Sequence, residues 1–228
     1  MEPGGAFGLP PEEAHHVSKV LRARSGDVFE AVDADKRLFL VELRDGSEAT
    51  VLEELAAPEG SGARVVLYQA VPKGRHMDLV VEKATEIGVD RIVPLVTDRG
   101  VVRMDNAAGK VERWRRVAQA AARQSLQLRI PEVGGPVAFP EAVKEAGEEG
   151  VLLHNGEGLP RLEDALGVGG TSLFVGPEGG WSGAEISLAG EIGLKFGQLG
   201  PYRLRSETAG VVAVARAMAT LEAAVEHT

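Results

Sequence analysis

Cysteine is absent from the 228 residues, which removes disulfide frameworks, thiolate metal sites and cysteine nucleophiles. Aromatic residues are scarce at 4 %, and no apolar run approaches the roughly 18 residues that a membrane-crossing helix requires. The opening MEPGGAFGLPPEEAHH has no basic start followed by an apolar stretch, so the expectation is a cytoplasmic chain without a secretion signal. Histidines number five, and His15 and His16 are adjacent; neighbours on a helix point apart, so no metal site is expected. Two phosphate signatures are also missing. No G-x-x-x-x-G-K-[ST] occurs and no G-x-G-x-x-G follows a strand, which argues against a P-loop and against a Rossmann dinucleotide site.

What is present is ordinary for a globular chain: 44 % hydrophobic and 26 % charged residues. At roughly 150 residues per domain the length fits one large unit or a small one joined to a medium one. Net charge is −9, which taken alone opposes a nucleic-acid partner. Its distribution is uneven. Residues 99–129 carry eight basic side chains (Arg99, Arg103, Lys110, Arg113, Arg115, Arg116, Arg123, Arg129) against Asp105 and Glu112, whereas residues 141–164 carry seven acids against Lys144 and Arg161. The basic segment reads either as an RNA-contacting face or as one solvated helix.

Pro10, Pro11, Glu12 and Glu13 open a helix whose apolar face is Ala14, Val17, Val20 and Leu21, ending at Ser25-Gly26. VFEAV, RLFLVEL and ATVLEEL then read as short strands, separated by Asp33-Ala34-Asp35 and by the hairpin signal Asp45-Gly46. Residues 56–62 form the expected boundary, giving domains 1–57 and 63–228. Beyond it strands (RVVLYQAV, RIVPLVT, VLLHN, TSLFVG) alternate with helices, including one over roughly 107–127 and one opened by the capping pair Ser182 and Glu185. This alternation predicts an α/β domain with a mainly parallel sheet. The closing GVVAVARAMATLEAAV is apolar on nearly every face and must be buried in the core or against another subunit.

Parallel sheets hold ligands at the carboxyl ends of their strands. Three glycine-rich loops stand there: His154-Asn155-Gly156-Glu157-Gly158, Gly176-Pro177-Glu178-Gly179-Gly180 and Leu199-Gly200-Pro201-Tyr202. They make either a cofactor cleft lined by backbone groups or tight turns in a closely packed sheet. The blocks HHVSKVLRARSGD (15–27), KGRHMDLVVEKATEIGVDRIVPL (73–95), RWRRVAQAAARQS (113–125), GPEGGWSGAEI (176–186) and LGPYRLRSETA (199–209) resemble, in order, the signature blocks of the RsmE family of 16S ribosomal RNA uridine-N3 methyltransferases. The pattern departs at Gln124-Ser125-Leu126, where Gln127 stands in place of the family's arginine and Arg129 follows two residues later.

The resemblance implies a small PUA-like β-barrel followed by a SPOUT-class α/β domain with a carboxyl-terminal trefoil knot, a homodimer, S-adenosylmethionine as cofactor and S-adenosylhomocysteine as product, and 16S rRNA within the 30S particle as substrate. It places the cofactor among Leu153, His154, Asn155, Gly156, Gly176, Pro177, Glu178, Gly179, Gly180, Leu199, Gly200, Tyr202 and Leu204. Arg205, Glu207 and Glu178 are the catalytic candidates. Arg205 either contacts substrate or pairs with Glu207 at the surface; Glu207 either accepts the N3 proton or serves a helix start. Glu178 either orients a ligand or bonds locally, His154 reads as packed more readily than catalytic, and Trp181 either stacks on a base or belongs to the core. Arg22, Arg24, Arg113, Arg116 and Arg123 are the expected RNA contacts. A non-enzymatic RNA-binding protein and an α/β enzyme acting on a free nucleotide are the competing readings.

Overall fold

The computed structural model describes residues 1–20, 22–56, 62–101, 107–167 and 169–226, without the side chains of His16, Val20, Val225 and Glu226. Leu21, Arg103, Asp105 and most of the expected boundary segment fall outside the described residues. The chain divides into two compact units, Met1–Glu59 and Gly60–Thr228.

The first unit is an antiparallel sheet built from β1 (Ala6–Gly8), β2 (Val28–Val32), β3 (Leu38–Asp45) and β4 (Glu48–Leu55), in the order β1-β4-β3-β2. Phe39, Val41, Ala49 and Val51 form its core, as the alternation of apolar residues along β3 and β4 dictates. Asp33 makes the first turn by accepting the Asp35 and Arg37 N–H groups, and Asp45 makes the hairpin by accepting those of Ser47 and Glu48. No pairing joins β1 to β2 among the described residues, so the sheet is open rather than a closed barrel. The amino-terminal helix is shorter than its pattern predicts: α1 (Pro11–His15) passes into one π-helical turn (His16–Val20). Arg22 takes a left-handed φ of +54°, which ends the helix before Ser25-Gly26.

The second unit is a parallel sheet in the order β11-β9-β10-β5-β6-β7, comprising β5 (Arg64–Ala70), β6 (Arg91–Val96), β7 (Glu132–Val133), β9 (Gly150–Leu153), β10 (Gly170–Val175) and β11 (Lys195–Gly197), with β8 (Val137–Ala138) also pairing β6. Side chains alternate between its faces. Val65 and Leu67 of β5 join Leu173 and Val175 of β10 under α2 (His76–Ile87), α3 (Ala107–Gln124), α5 (Leu162–Ala165) and α7 (Ser206–Glu226). Val66, Tyr68 and Phe174 point the other way, under α4 (Phe139–Ala146) and α6 (Gly183–Ile192). Four of the few aromatics collect on that second face: Tyr68 stacks on Phe174 at 4.6 Å, and Phe139 packs on Phe174 at 6.1 Å and on Trp181 at 5.1 Å. Helix ends follow the sequence. Gly88 closes α2 in the left-handed region, and Ser182 and Glu185 form a reciprocal capping box at the start of α6.

One feature of the topology positions the site. β11 is the edge strand outside β9, yet the helix that follows it, α7, packs on β10, β5 and α2. Residues 198–205 must therefore cross the carboxyl ends of the intervening strands.

Candidate active site

β11, β9 and β10 are adjacent and parallel, so their carboxyl-end loops open side by side. Between them lies a cavity of about 410 Å³, a volume suited to a cofactor-sized ligand. Leu153, His154 and Asn155 line it from the first loop, Gly176, Pro177, Glu178, Gly180 and Trp181 from the second, and Leu199, Tyr202, Arg203, Leu204 and Arg205 from the third, with Val175 beneath and Ser206 and Ala209 from α7.

Each loop is fixed by specific contacts. Trp181 is buried and donates its indole N–H to the Leu153 carbonyl at 2.9 Å, joining the first loop to the second. A β-carbon at Gly176 would stand 3.0 Å from the Trp181 ring, so glycine is the residue that lets the indole lie there. Gly180 has φ +71° and its N–H closes a turn on the Pro177 carbonyl at 2.8 Å. The segment after β6 braces the second loop and the helix that follows it: Arg99 donates to the Gly179 carbonyl at 3.1 Å, and the Asp98 N–H donates to Glu185 of α6 at 3.0 Å. The third loop hangs on Arg216 of α7, whose guanidinium grips the Glu163 carboxylate with two nitrogens and donates its third to the Leu199 carbonyl. Arg216 holds the Glu163 carboxyl below its ordinary range by that hydrogen bonding.

Of the residues expected at the cofactor, Gly156, Gly179 and Gly200 are absent from the cavity wall. Gly156 packs toward Leu159, Gly179 faces Arg99, and Gly200 takes a φ of +141°, which favours glycine, with open space where a side chain would stand. Arg205 lines the wall and is exposed, whereas Glu207 is 7 % exposed and does not line it. The Glu207 carboxylate lies 3.7 Å from the His76 Nδ1. Glu178 lines the cavity and accepts the Lys73 N–H at 3.2 Å. Trp181 belongs to the core and to the cavity wall at once.

The expected RNA contacts differ in exposure. Arg22, Arg24, Arg116 and Arg123 are exposed, while Arg113 is paired with Asp78. Gln127, where the resemblance departs, donates to the Glu86 carbonyl at 3.2 Å and so ties the chain after α3 to the end of α2. Arg203, Ser206, Arg216 and Gln69 also stand at or behind the cavity wall, and little in the sequence singles them out. Gln69 alone left a trace, as a lone amide in the apolar run RVVLYQAV.

Residues 59–218 match the RNA methyltransferase domain family. The chain is 35 % identical over 224 residues to ribosomal RNA small subunit methyltransferase E of Mycobacterium bovis, covering 92 % of this chain and 85 % of that protein. It belongs to the ribosomal RNA small subunit methyltransferase E family. A second member, from Synechocystis, is 34 % identical over 223 residues, 94 % of this chain and 73 % of its own length. The crystal structure of the Neisseria gonorrhoeae member, bound to S-adenosyl methionine, is similar with a TM-score of 0.76 and 28 % identity, over 95 % of this chain and 92 % of that one. A Legionella pneumophila chain solved with the bound cofactor SAM gives a TM-score of 0.79 at 31 % identity, over 96 % and 93 %. Family membership thus agrees with the signature blocks in the sequence.

Proposed function

We propose that this protein is an S-adenosylmethionine-dependent methyltransferase that modifies N3 of a uridine in 16S rRNA of the small ribosomal subunit, working as a homodimer in the cytoplasm on the 30S particle. The observation that carries the reading is the cavity at three adjacent strand ends, walled by loop backbone and closed by residues 198–205. Its glycines fit such a ligand: Gly176 and Gly180 leave main-chain groups accessible where a side chain would intrude or be strained. Leu153, Gly176, Leu199 and Leu204 would hold the cofactor, which when bound supplies an electrophilic methyl group.

The division of labour proposed is residues 1–57 as a PUA-like RNA-binding barrel and 63–228 as a SPOUT methyltransferase domain. The crossing of residues 198–205 supports a trefoil knot at the site. The open four-stranded sheet is the part of a barrel that this reading assigns to the first unit. Arg22, Arg24, Arg113, Arg116 and Arg123 neutralise phosphates, Arg113 while held by Asp78.

Uracil N3 carries a proton on a base-pairing edge, so the base must be presented unpaired. Positioning is then the protein's main contribution. Arg205, in the wall and exposed, stabilises negative charge on the uracil as the proton leaves, and is too basic to accept that proton itself. Glu178 orients the ligand from the second loop, held by the Lys73 N–H. The position of Glu207, off the wall and beside His76, favours anchoring of the α7 start over proton acceptance.

Radiolabelled methyl transfer to assembled 30S particles, compared with free rRNA and with free uridine, tests the reading. Incorporation at uridine N3 of the 16S rRNA is expected. Methylation of free uridine with equal efficiency would favour a nucleotide enzyme, and rRNA binding without adenosylhomocysteine binding would favour a non-enzymatic role.

A further inference from the structure

From Val65 to Ala70 β5 is buried along both faces, and the amide of Gln69, 0 % exposed, lies within that run. A primary amide in such a place is expected to hydrogen-bond. The Gln69 Nε2 donates to the Ala70 carbonyl and to the Ser206 Oγ, each at 2.9 Å. Ser206 passes the interaction on, donating its hydroxyl proton to the Gly176 carbonyl at 2.7 Å. The central strand, the second cofactor loop and the first residue of α7 are thereby joined in one chain of hydrogen bonds. The other end of the amide is equally constrained. Its Oε1 has no hydrogen-bond partner among the described residues, and it lies 2.2 Å from where a β-carbon at Gly210 would stand. Gly210 sits within α7, where alanine is ordinarily the better helix former, so the glycine makes room for the amide.

We infer that Gln69 is a positioning residue for the cofactor site: through Ser206 it sets the Gly176 carbonyl and, with it, the start of α7 beside Arg205, and Gly210 is the notch that keeps its amide in register. The inference rests on the methyltransferase reading and adds to it a residue one hydrogen bond behind the cavity wall.

Three substitutions test it on the full-length protein: Gln69→Leu, which keeps the bulk and removes the amide, Ser206→Ala and Gly210→Ala. Each is expected to weaken adenosylhomocysteine binding about tenfold by calorimetry and to raise the KM for the cofactor, with the KM for rRNA unchanged. Because Gln69 and Ser206 act as one unit, the double variant Gln69→Leu/Ser206→Ala should lose no more than the worse single one. Gly210→Ala should become harmless in a Gln69→Ala background, where the space is open. A merely structural Gln69 would instead lower the amount of folded enzyme and leave the KM of the folded fraction intact. Additive losses, or a Gly210→Ala protein with unaltered cofactor affinity, would overturn the proposal. Ser206→Ala keeps the test usable if the core substitution at Gln69 does not fold. Hydrogen exchange separates the two levels of the argument. If the wild-type protein bound no adenosylhomocysteine, the methyltransferase reading would fail, while faster amide exchange over 176–180 and 206–210 in Ser206→Ala would still support the brace and unchanged exchange would refute it.

Discussion

At Gly176 the two faces of one residue have different duties: one side lines the cavity and the other is pressed by the Trp181 indole, 3.0 Å from where a β-carbon would lie. Gly176→Ala is therefore expected to cost about 1–3 kcal/mol, as overpacking does, and to weaken adenosylhomocysteine binding by roughly tenfold or more. Thermal unfolding and calorimetry on the same sample measure both, and an unchanged affinity would remove Gly176 from the site. Arg205 and Glu207, two positions apart in sequence, diverge in space, because the first is still in the crossing loop and the second already belongs to α7. Arg205→Ala should lower the single-turnover rate by about 10²–10³, the usual cost of losing a donor to developing charge. Glu207→Gln should lower it less than about tenfold; a loss of 10² or more with cofactor affinity kept would restore Glu207 as the proton acceptor. Residue types at the site were legible because glycine clusters and charged pairs stand out in a sequence. Their orientation was not, since nothing in the string Arg-Ser-Glu tells which side chain turns toward the cavity.

Elements were legible wherever a local signal fixes an end. The left-handed stop at Gly88, the capping box of Ser182 and Glu185 and the Asp45 hairpin are all settled by hydrogen bonds within a few residues. The short strands β7 and β8 were missed because two residues carry no periodicity. The π-helical turn was missed because its hydrogen-bond register, not its composition, distinguishes it. Contacts between elements lie further beyond a linear reading, and the clamp from α7 through Arg216 to Glu163 of α5 and to the third loop is one of them. Its pH dependence has a definite sign. Glu163 is held below its ordinary value of 4.5, chiefly by hydrogen bonding to Arg216, so its stabilising contribution is present above that value and is lost as the pH falls through the lower folded-state pKa. Adenosylhomocysteine affinity should accordingly hold steady through the ordinary value and fall only as the pH passes through the lower folded-state pKa. Glu163→Gln should bind more weakly at neutral pH and lack this acid-side decline. A variant whose profile tracks the wild type across that window would show that the clamp does not govern the loop.

The whole molecule joins two units whose sheets obey different rules, one antiparallel with polar turns and one parallel with glycine loops, and that difference in punctuation is what made both readable. The order of strands in the parallel sheet was not readable. β11 lies outside β9 although β10 precedes it in the chain, and only long-range pairing decides that placement. The last helix shows how a whole-molecule property emerges from the same packing. α7 buries Ala213, Val214, Ala217 and Leu221 within its own unit, yet Val211, Val212, Ala215 and Met218 remain only partly covered, so one chain does not exhaust the helix's apolar surface. A two-fold self-association is the commonest arrangement for covering such a stripe, because the same surface then serves both partners. Light scattering at micromolar concentration should give about twice the 24.0 kDa of the chain. Replacing Val211 and Val212 by acidic residues should shift the mass toward the monomer, since like charges would face each other across a symmetric contact. A wild-type mass of one chain under those conditions would rule out the dimer and leave the partly covered residues as ordinary surface.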